Sequence, residues 1–483
     1  MRKRFEPQIE IGQLLIEDTP TPRSRDGMAN LVIALRELYK NKPNRDRILD
    51  ILESKLIKGK LRTGRPGMDL WRLFVLSQLR LSKQLSYDEL HMQANYNRLV
   101  RQVMGVERAS GFEEITFAYQ TIVDNVSLLD DTSIQQINDV IVSFGQGEVF
   151  KKKEAEALQL KSDSFVVESN VHFPTDYSLL WDSARKCLDM VGKLEAKHGR
   201  LAGWRKLRYW RRRMKNQMLI LSKACGSGGK KKEERVKACA TVYLQTSGLL
   251  SKKIKENMHG LPVSEVSDLS IVLLLESYHS LLDKHIDLVE RRLLKGEKIP
   301  QEEKMFSIFE PYTEWITKGK LRPNVELGKK ENITADQYHL TVDCQTVEHQ
   351  SDSELVIALA DRLTPISKIG SWSFDKGYWH PDNRGLLEME IPQVIMPKKG
   401  KSNKEESERE KATGFKKLRR KHSAIETNIH SLETRGLSRC PDRGWEHFCR
   451  YVGWAVCAYN LCCIGRKLQA DYRQKDHLLQ RAA

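Results

Sequence analysis

Residues 158–176 read LQLKSDSFVVESNVHFPTD, and this stretch decides the fold. Phe165, Val166 and Val167 favour a half-buried pleated surface, so the run predicts a strand entering a loop, and it is read as a strand that ends on a carboxylate, Asp163. It follows about 150 residues of helical pattern, so the chain is read as α/β and not all-α. Two further segments present a carboxylate in a similar way. IGSWSFDKGYW (369–379) predicts a strand ending on Asp375, with Gly377 supplying a tight turn. RRKHSAIETNIH (419–430) predicts a helix presenting Glu426. Open α/β sheets gather reactive groups where strands end. Three converging carboxylates form a hard, oxygen-only site suited to two Mg²⁺ (or Mn²⁺) ions about 4 Å apart.

The charge balance supports a polyanionic partner. Lys and Arg total 81 against 64 Asp and Glu, a formal charge of +17, and such an excess favours phosphates through counterion release. A hydrophobic share of 40% with 30% charged residues excludes a disordered chain, and 483 residues predict two or three domains. The start, MRKRFEPQIEIGQ, lacks the apolar run of a signal peptide. The longest apolar stretch, Tyr451 to Gly465, falls short of the roughly 20 residues that span a bilayer. The nine cysteines form no CxxC pair, which predicts a reduced, cytoplasmic setting.

Along the chain, residues 1–150 predict a helical domain for DNA binding or dimerisation. MANLVIALRELY, DRILDILESKLI and LWRLFVLSQLRLS repeat apolar positions at helical spacing, a turn is expected at Gly64–Gly67, and Ser86 with Glu89 forms a capping box. Residues 151–178 and 305–470 predict the sheet domain, with 179–304 as a helical insertion and 471–483 as a tail. Strands are expected in MFSIFEPYTEWI, QYHLTVDCQTVEH, SKIGSWSFD and PQVIMPKK, with LVIALADRLT as a helix among them. Closing helices are expected around Glu426 and from Trp445 to about Leu468.

Two segments concentrate basic charge. Gly203–Lys215 interleaves Arg205, Arg208, Arg211, Arg212 and Arg213 with Trp204, Tyr209 and Trp210. That pattern suits phosphate contact and base stacking, and equally a helix that buries its rings and solvates its charges. Lys398 to Lys421, including Lys398, Lys399, Arg420 and Lys421, predicts a mobile charged loop able to order over DNA, with a plain solvated linker as the default reading of such a charge run.

DSFVVESNVHFPTDYSLLWD, FDKGYW and KHSAIETNIHSLETRGLSRCPDRG, with EKMFSIFEPYTEWITKGK and VELGKK, together resemble the DDE transposases of bacterial insertion sequences, nearest the ISNCY type. The resemblance spans about residues 60–470. It implies an RNase H-like mixed sheet with a helical insertion after the first strand, preceded by an all-α N-terminal domain. It implies Asp163, Asp375 and Glu426 as catalytic metal ligands, with Asn170, His172 and Thr175 beside them. It also implies double-stranded DNA as substrate, a homodimer, and a cytoplasmic, nucleoid-associated place in a bacterium. Related families carry Y-x2-R-x3-E-x6-K around the catalytic Glu; here His422 and Glu433 stand at the Arg and Lys positions, leaving Arg420, Lys421 or Arg435 to meet phosphate. Asp343, Asp352, Asp176, Glu388, Glu390 and Glu433 compete for the acidic roles. The alternatives are a decayed or domesticated DNA-binding protein, or an RNase H-like nuclease without strand transfer.

Overall fold

The computed structural model describes every residue except 1, 6–10, 23, 25, 59–66, 318–324 and 483. The turn expected at Gly64–Gly67 therefore lies, but for Gly67, outside the described residues. The chain opens with helices α1 (Gly27–Lys40), α2 (Lys42–Leu56), α3 (Leu70–Ser82), α4 (Tyr87–Tyr96), α5 (Arg98–Val103), α6 (Tyr119–Val126) and α7 (Asp131–Phe144). Strand β1 (Leu158–Glu168) follows, then the helices α8 (Asp176–His198), α9 (Leu207–Gly226), α10 (Lys232–Met258) and α11 (Val266–Val289). Next come β2 (Glu314–Thr317), β3 (Val325–Ala335), β4 (Thr341–Val347), α12 (Asp352–Leu363), β5 (Ile369–Phe374), α13 (Pro381–Glu390) and β6 (Gln393–Ile395). Helices α14 (Lys404–Lys411), α15 (Thr413–His422), α16 (Ala424–Leu432) and α17 (Trp445–Ala482) complete it.

Two compact units result. One joins Met1–Asn170 to Ile316–Ala483, and the other is Val171–Trp315. In the first, the strands run in the order β2-β3-β1-β5-β6, with β4 also on β3. β1 pairs antiparallel with β3 and parallel with β5, so the sheet is mixed. One face buries Trp372, Phe374 and Tyr378 against Val356, Leu359 and Leu387 of α12 and α13. Helix α17 packs against α1, α3 and α7, and both α17 and α7 reach β4. The second unit has its own core, in which Leu180, Leu188, Trp204, Met214, Tyr243, Leu250, Leu275 and Leu282 are buried together.

A buried amide cluster ties the N-terminal helices to the sheet. Asn460 of α17 accepts from the Thr341 backbone N–H at 2.8 Å and donates to the Thr341 carbonyl at 2.9 Å and to Asn138 of α7 at 2.8 Å. Asn138 donates to the same carbonyl at 3.1 Å. Nearby, α17 crosses α1 so closely that a Cβ on Gly465 would lie 1.9 Å from the Asn30 carbonyl oxygen.

Three expectations need correction. MFSIFEPYTEWI yields strand only at its end, in β2, because Ser307 Oγ accepts from the Phe309 and Glu310 N–H groups and folds the segment into turns before it. The Lys398–Lys421 segment is not a loop throughout: it holds α14 and α15. Asn403 caps α14, Arg384 pairs with Glu406, Arg409 donates to the Met396 carbonyl at 2.8 Å, and Phe415 is buried. Helix α17 does not stop near Leu468 but continues to Ala482. Among the described residues, no helix is long and apolar enough to cross a membrane.

Asn460→Ala removes the donor and acceptor that the Thr341 backbone and Asn138 use, leaving buried polar groups unmet. A loss of about 1–3 kcal/mol is expected in denaturant unfolding, and Asn460→Asp, which would bury a carboxylate against the Thr341 carbonyl and Asn138 Oδ1, is expected to lose at least as much near pH 7.

Candidate active site

Asp163 and Asp375 are brought together by strand register. In the parallel β1–β5 pair, Ser162 stands opposite Phe374, so the next residues along the two strands are the two aspartates. Asp375 is the first residue beyond β5, at the start of a 3₁₀ turn over Lys376–Tyr378. Glu426 lies on the exposed side of α16, a helix that packs against β1. A fourth carboxylate joins them: Asp352, which opens α12, accepts from Ser164 Oγ and from Lys330 Nζ, each at 3.0 Å.

The electrostatics are those of crowded acids. Burial pushes the Asp163 carboxyl up to about 6, and the charges of Asp375, Asp352 and Glu426 push the same way against a hydrogen bond from the Ser164 N–H. Burial also works on Asp375, but the Lys376 N–H and the Arg419 guanidinium outweigh it and hold that carboxyl below its ordinary value. Arg419 of α15 donates to Asp375 Oδ1 at 3.1 Å and to the Phe374 carbonyl at 3.0 Å. His422 sits one turn on, buried, with Nδ1 3.0 Å from Ser373 Oγ. Burial, then Arg419, lowers its pKa to about 4, so the imidazole is neutral near pH 7.

Gly377 serves differently from the expectation. Its backbone is not in the left-handed region; its missing Cβ leaves room for Asp352, whose Oδ2 would lie 2.7 Å from one. Tyr378, next in line, accepts from Asn332 Nδ2 at 2.5 Å and is buried beneath the site.

Among the described residues, no three His, Cys, Asp or Glu side chains stand close enough to grip one ion by themselves. Mg²⁺ is commonly held by one or two carboxylates with water and substrate phosphate oxygens. An oxygen-only donor set on adjoining strands, with Asp163 within β1 and Asp375 just past the end of β5, one member of which has a raised proton affinity, fits that mode.

The other named residues fall elsewhere. Asn170 is exposed and donates to the Pro441 carbonyl at 3.4 Å. His172 and Thr175 belong to the helical unit, where His172 Nε2 lies 3.3 Å from Asp182 and Thr175 caps α8 in a capping box with Ser178. Arg205, Arg208, Arg211 and Arg212 are exposed and Arg213 half-buried; Arg211 pairs with Asp189 and Arg213 donates to Tyr209 Oη at 3.3 Å. Trp204 is buried and Trp210 packs on the same core, so the tryptophans face inward and the charges outward, while Tyr209 is exposed.

Lys398 lies over the Trp379 ring at 5.5 Å, and Lys399 and Arg420 are exposed. Lys421 Nζ reaches Gln159 at 3.4 Å. Arg435 donates to the Ser82 carbonyl at 3.2 Å, which commits it to the N-terminal helices. Of the competing acids, Asp343 is buried in a two-pronged pair with Arg362 at 2.7 and 3.2 Å, Asp176 pairs with Arg292, and Glu388 pairs with Arg384 and Arg409. The sequence pattern points to Arg420 and Lys421, and the structure puts Arg419 at the site instead. Its position one helical turn before His422 was the available signal.

A carboxyl with a raised folded-state pKa contributes stability that is complete below the unfolded value of 3.8 and is lost as pH rises through about 6. Asp163→Asn removes that loss. In chelator at pH 8, the variant is expected to be about 1–3 kcal/mol more stable than wild type to denaturant, with the gap closing near pH 4.

No curated protein and no solved structure matches the chain. Residues 310–461 match the family model described as the transposase DDE domain. That stretch includes Asp375 and Glu426 and begins after β1, so Asp163 lies outside it. The mixed sheet and the acids gathered on it are in keeping with this match: residues 310–461 are similar to the DDE domain of transposases.

Proposed function

We propose that the protein cuts phosphodiester bonds at the ends of an insertion sequence and joins the freed 3′-hydroxyls to target DNA, with Asp163, Asp375 and Glu426 as the metal ligands of an RNase H-like sheet. The observation that supports this reading most is the successive β1–β5 register, which sets Asp163 beside Asp375. Bound Mg²⁺ or Mn²⁺, two ions in this reading, would activate the attacking oxygen and stabilise the leaving one.

The chain's own groups do the rest. Asp163 is fixed by the Ser164 N–H, and Asp352 by Lys330 and Ser164, so the acids cannot swing apart freely. Arg419 takes the phosphate-handling part of the missing Arg at position 422. His422 is neutral and buried, whereas Arg419 is a permanent cation one turn away, with a planar fork suited to a phosphate once it leaves Asp375. The helices of Val171–Trp315 act as an insertion after the first strand, and the exposed arginines of α9 meet the DNA backbone. Work on paired element ends calls for a homodimer, acting on the bacterial nucleoid in the cytoplasm.

Asp163→Asn and Asp375→Asn are each expected to lower Mg²⁺-dependent cleavage of an end-containing duplex by at least about 10³-fold, a loss of some 4 kcal/mol, while gel-shift affinity changes less than threefold. Retained cleavage in either variant refutes the ligand assignment. Arg419→Gln is expected to lose more activity than Arg419→Lys. Precleaved ends that are never joined to target DNA would leave a nuclease, and wild-type protein that binds but never cuts would leave a DNA-binding relic.

A further inference from the structure

The helical unit, Val171–Trp315, carries one face that its charged helices do not explain. Helix α9 exposes Arg208, Arg211 and Arg212, and α10 exposes Lys232, Arg235 and Lys237. Helix α11 turns Asp268, Leu275 and Leu282 inward. On its opposite side Val266, Ser270, Leu273 and Ser277 fall in one line, spaced by four, three and four residues. All four are exposed, Val266 by 82% and Leu273 by 53%, with the exposed Leu269 and Leu274 on either flank. Between Val263 and Leu282 the charged residues are Glu265, Asp268 and Glu276; Asp268 is buried and Glu265 pairs with Lys197. An exposed apolar line of this kind marks a protein–protein surface. Without Lys or Arg of its own it does not attract phosphate, whether of DNA or of a lipid surface.

The line is complementary to itself. Set antiparallel to a second copy about a two-fold axis between Ile271 and Val272, it places Val266 against Ser277 and Leu273 against Ser270, and each pair recurs by symmetry. Every layer then has one large apolar side chain over one small one, so the two helices can approach closely with no gap. A parallel pairing in register would set serine on serine and leave those layers empty.

We propose that α11 is a contact between two copies of this chain, packed antiparallel along Val266–Ser277. The proposal rests on the paired-end reading above, which calls for a second copy. Helices α8 and α10 each pack against both α9 and α11 and stand between them, so the contact leaves the α9 arginines of both copies free for DNA. A seam of about 17 Å buries less than the roughly 800 Å² per partner of a standard interface, which sets the association at tens of micromolar.

Sedimentation equilibrium of the full-length protein, without DNA and from about 2 to 100 µM, tests this. Wild type is expected to pass from monomer to dimer across that range. Leu273→Lys and Ser270→Glu, both at exposed positions, are each expected to weaken dimerisation at least tenfold with unchanged circular dichroism. An equimolar mixture of the two variants is expected to dimerise again, because the introduced lysine of one chain meets the introduced glutamate of the other. A wild-type dimer that both single variants leave intact overturns the seam and leaves the paired-end reading with another interface. Wild type that stays monomeric throughout overturns it and leaves the face to a different protein. A mixture that fails to recover overturns the antiparallel contact. None of these readouts depends on DNA cleavage, so failure of the proposed activity would not alter them.

Discussion

The parallel register of β1 on β5 is the constraint on which the candidate site depends. Side chains alternate across a strand, so a slip of one residue would turn Asp163 to the opposite face and part it from Asp375. Several groups hold that register. Ser162 Oγ accepts from the Trp372 indole at 2.8 Å and lies 2.7 Å from Thr334 Oγ1 on the other side, pinning β1 to both neighbours one residue before Asp163. The stacked rings of Trp372 and Phe374, 5.0 Å apart, then fill the face beneath. Packing and polar pairing agree on one alignment, and the acids follow from it.

That alignment was legible in part. β1 and β5 announce themselves because their apolar residues are β-branched or aromatic. β3, the partner across from β1, escaped notice because VELGKKENITA carries charges through its centre. The structure explains them one by one: Lys330 reaches Asp352, Glu331 accepts from Thr346, and Asn332 meets Tyr378. Each polar side chain has a destination that only the folded neighbours supply, so periodicity could not reveal the strand. The same blindness applies to Lys398–Lys421. Its composition reads as solvated chain, yet the mixed signs pair with one another and with α13, while the buried Phe415 anchors α15. Asp375 could be named from sequence because a strand end is a local feature; Asp163 lies in the middle of β1 and not at its end, since Ser164–Glu168 continue the pairing with β3. Arg419 could not be named, because its role depends on where α15 crosses β5.

The site divides its charge unevenly. Asp375 is ionised and clamped by Arg419, whereas Asp163 has no cation of its own and bears the repulsion of three other acids. A sheet built for stability alone would not place four carboxylates in one field. Such placement is the expected trace of selection for binding positive charge.

His422 sharpens the point. A histidine near acids usually gains a proton, and here the acids are close by. Yet the imidazole is buried, fixed to Ser373, and faces Arg419 and Lys161, so the cationic form is disfavoured despite Asp375. The cation that pairs with Asp375 is thereby Arg419, a group whose charge does not vary with pH in any working range. In the proposed reading Arg419 stands in, one helical turn back, for the Arg absent at position 422. The geometry of α15 against β5 makes the exchange possible, since residues one turn apart on a helix share a face.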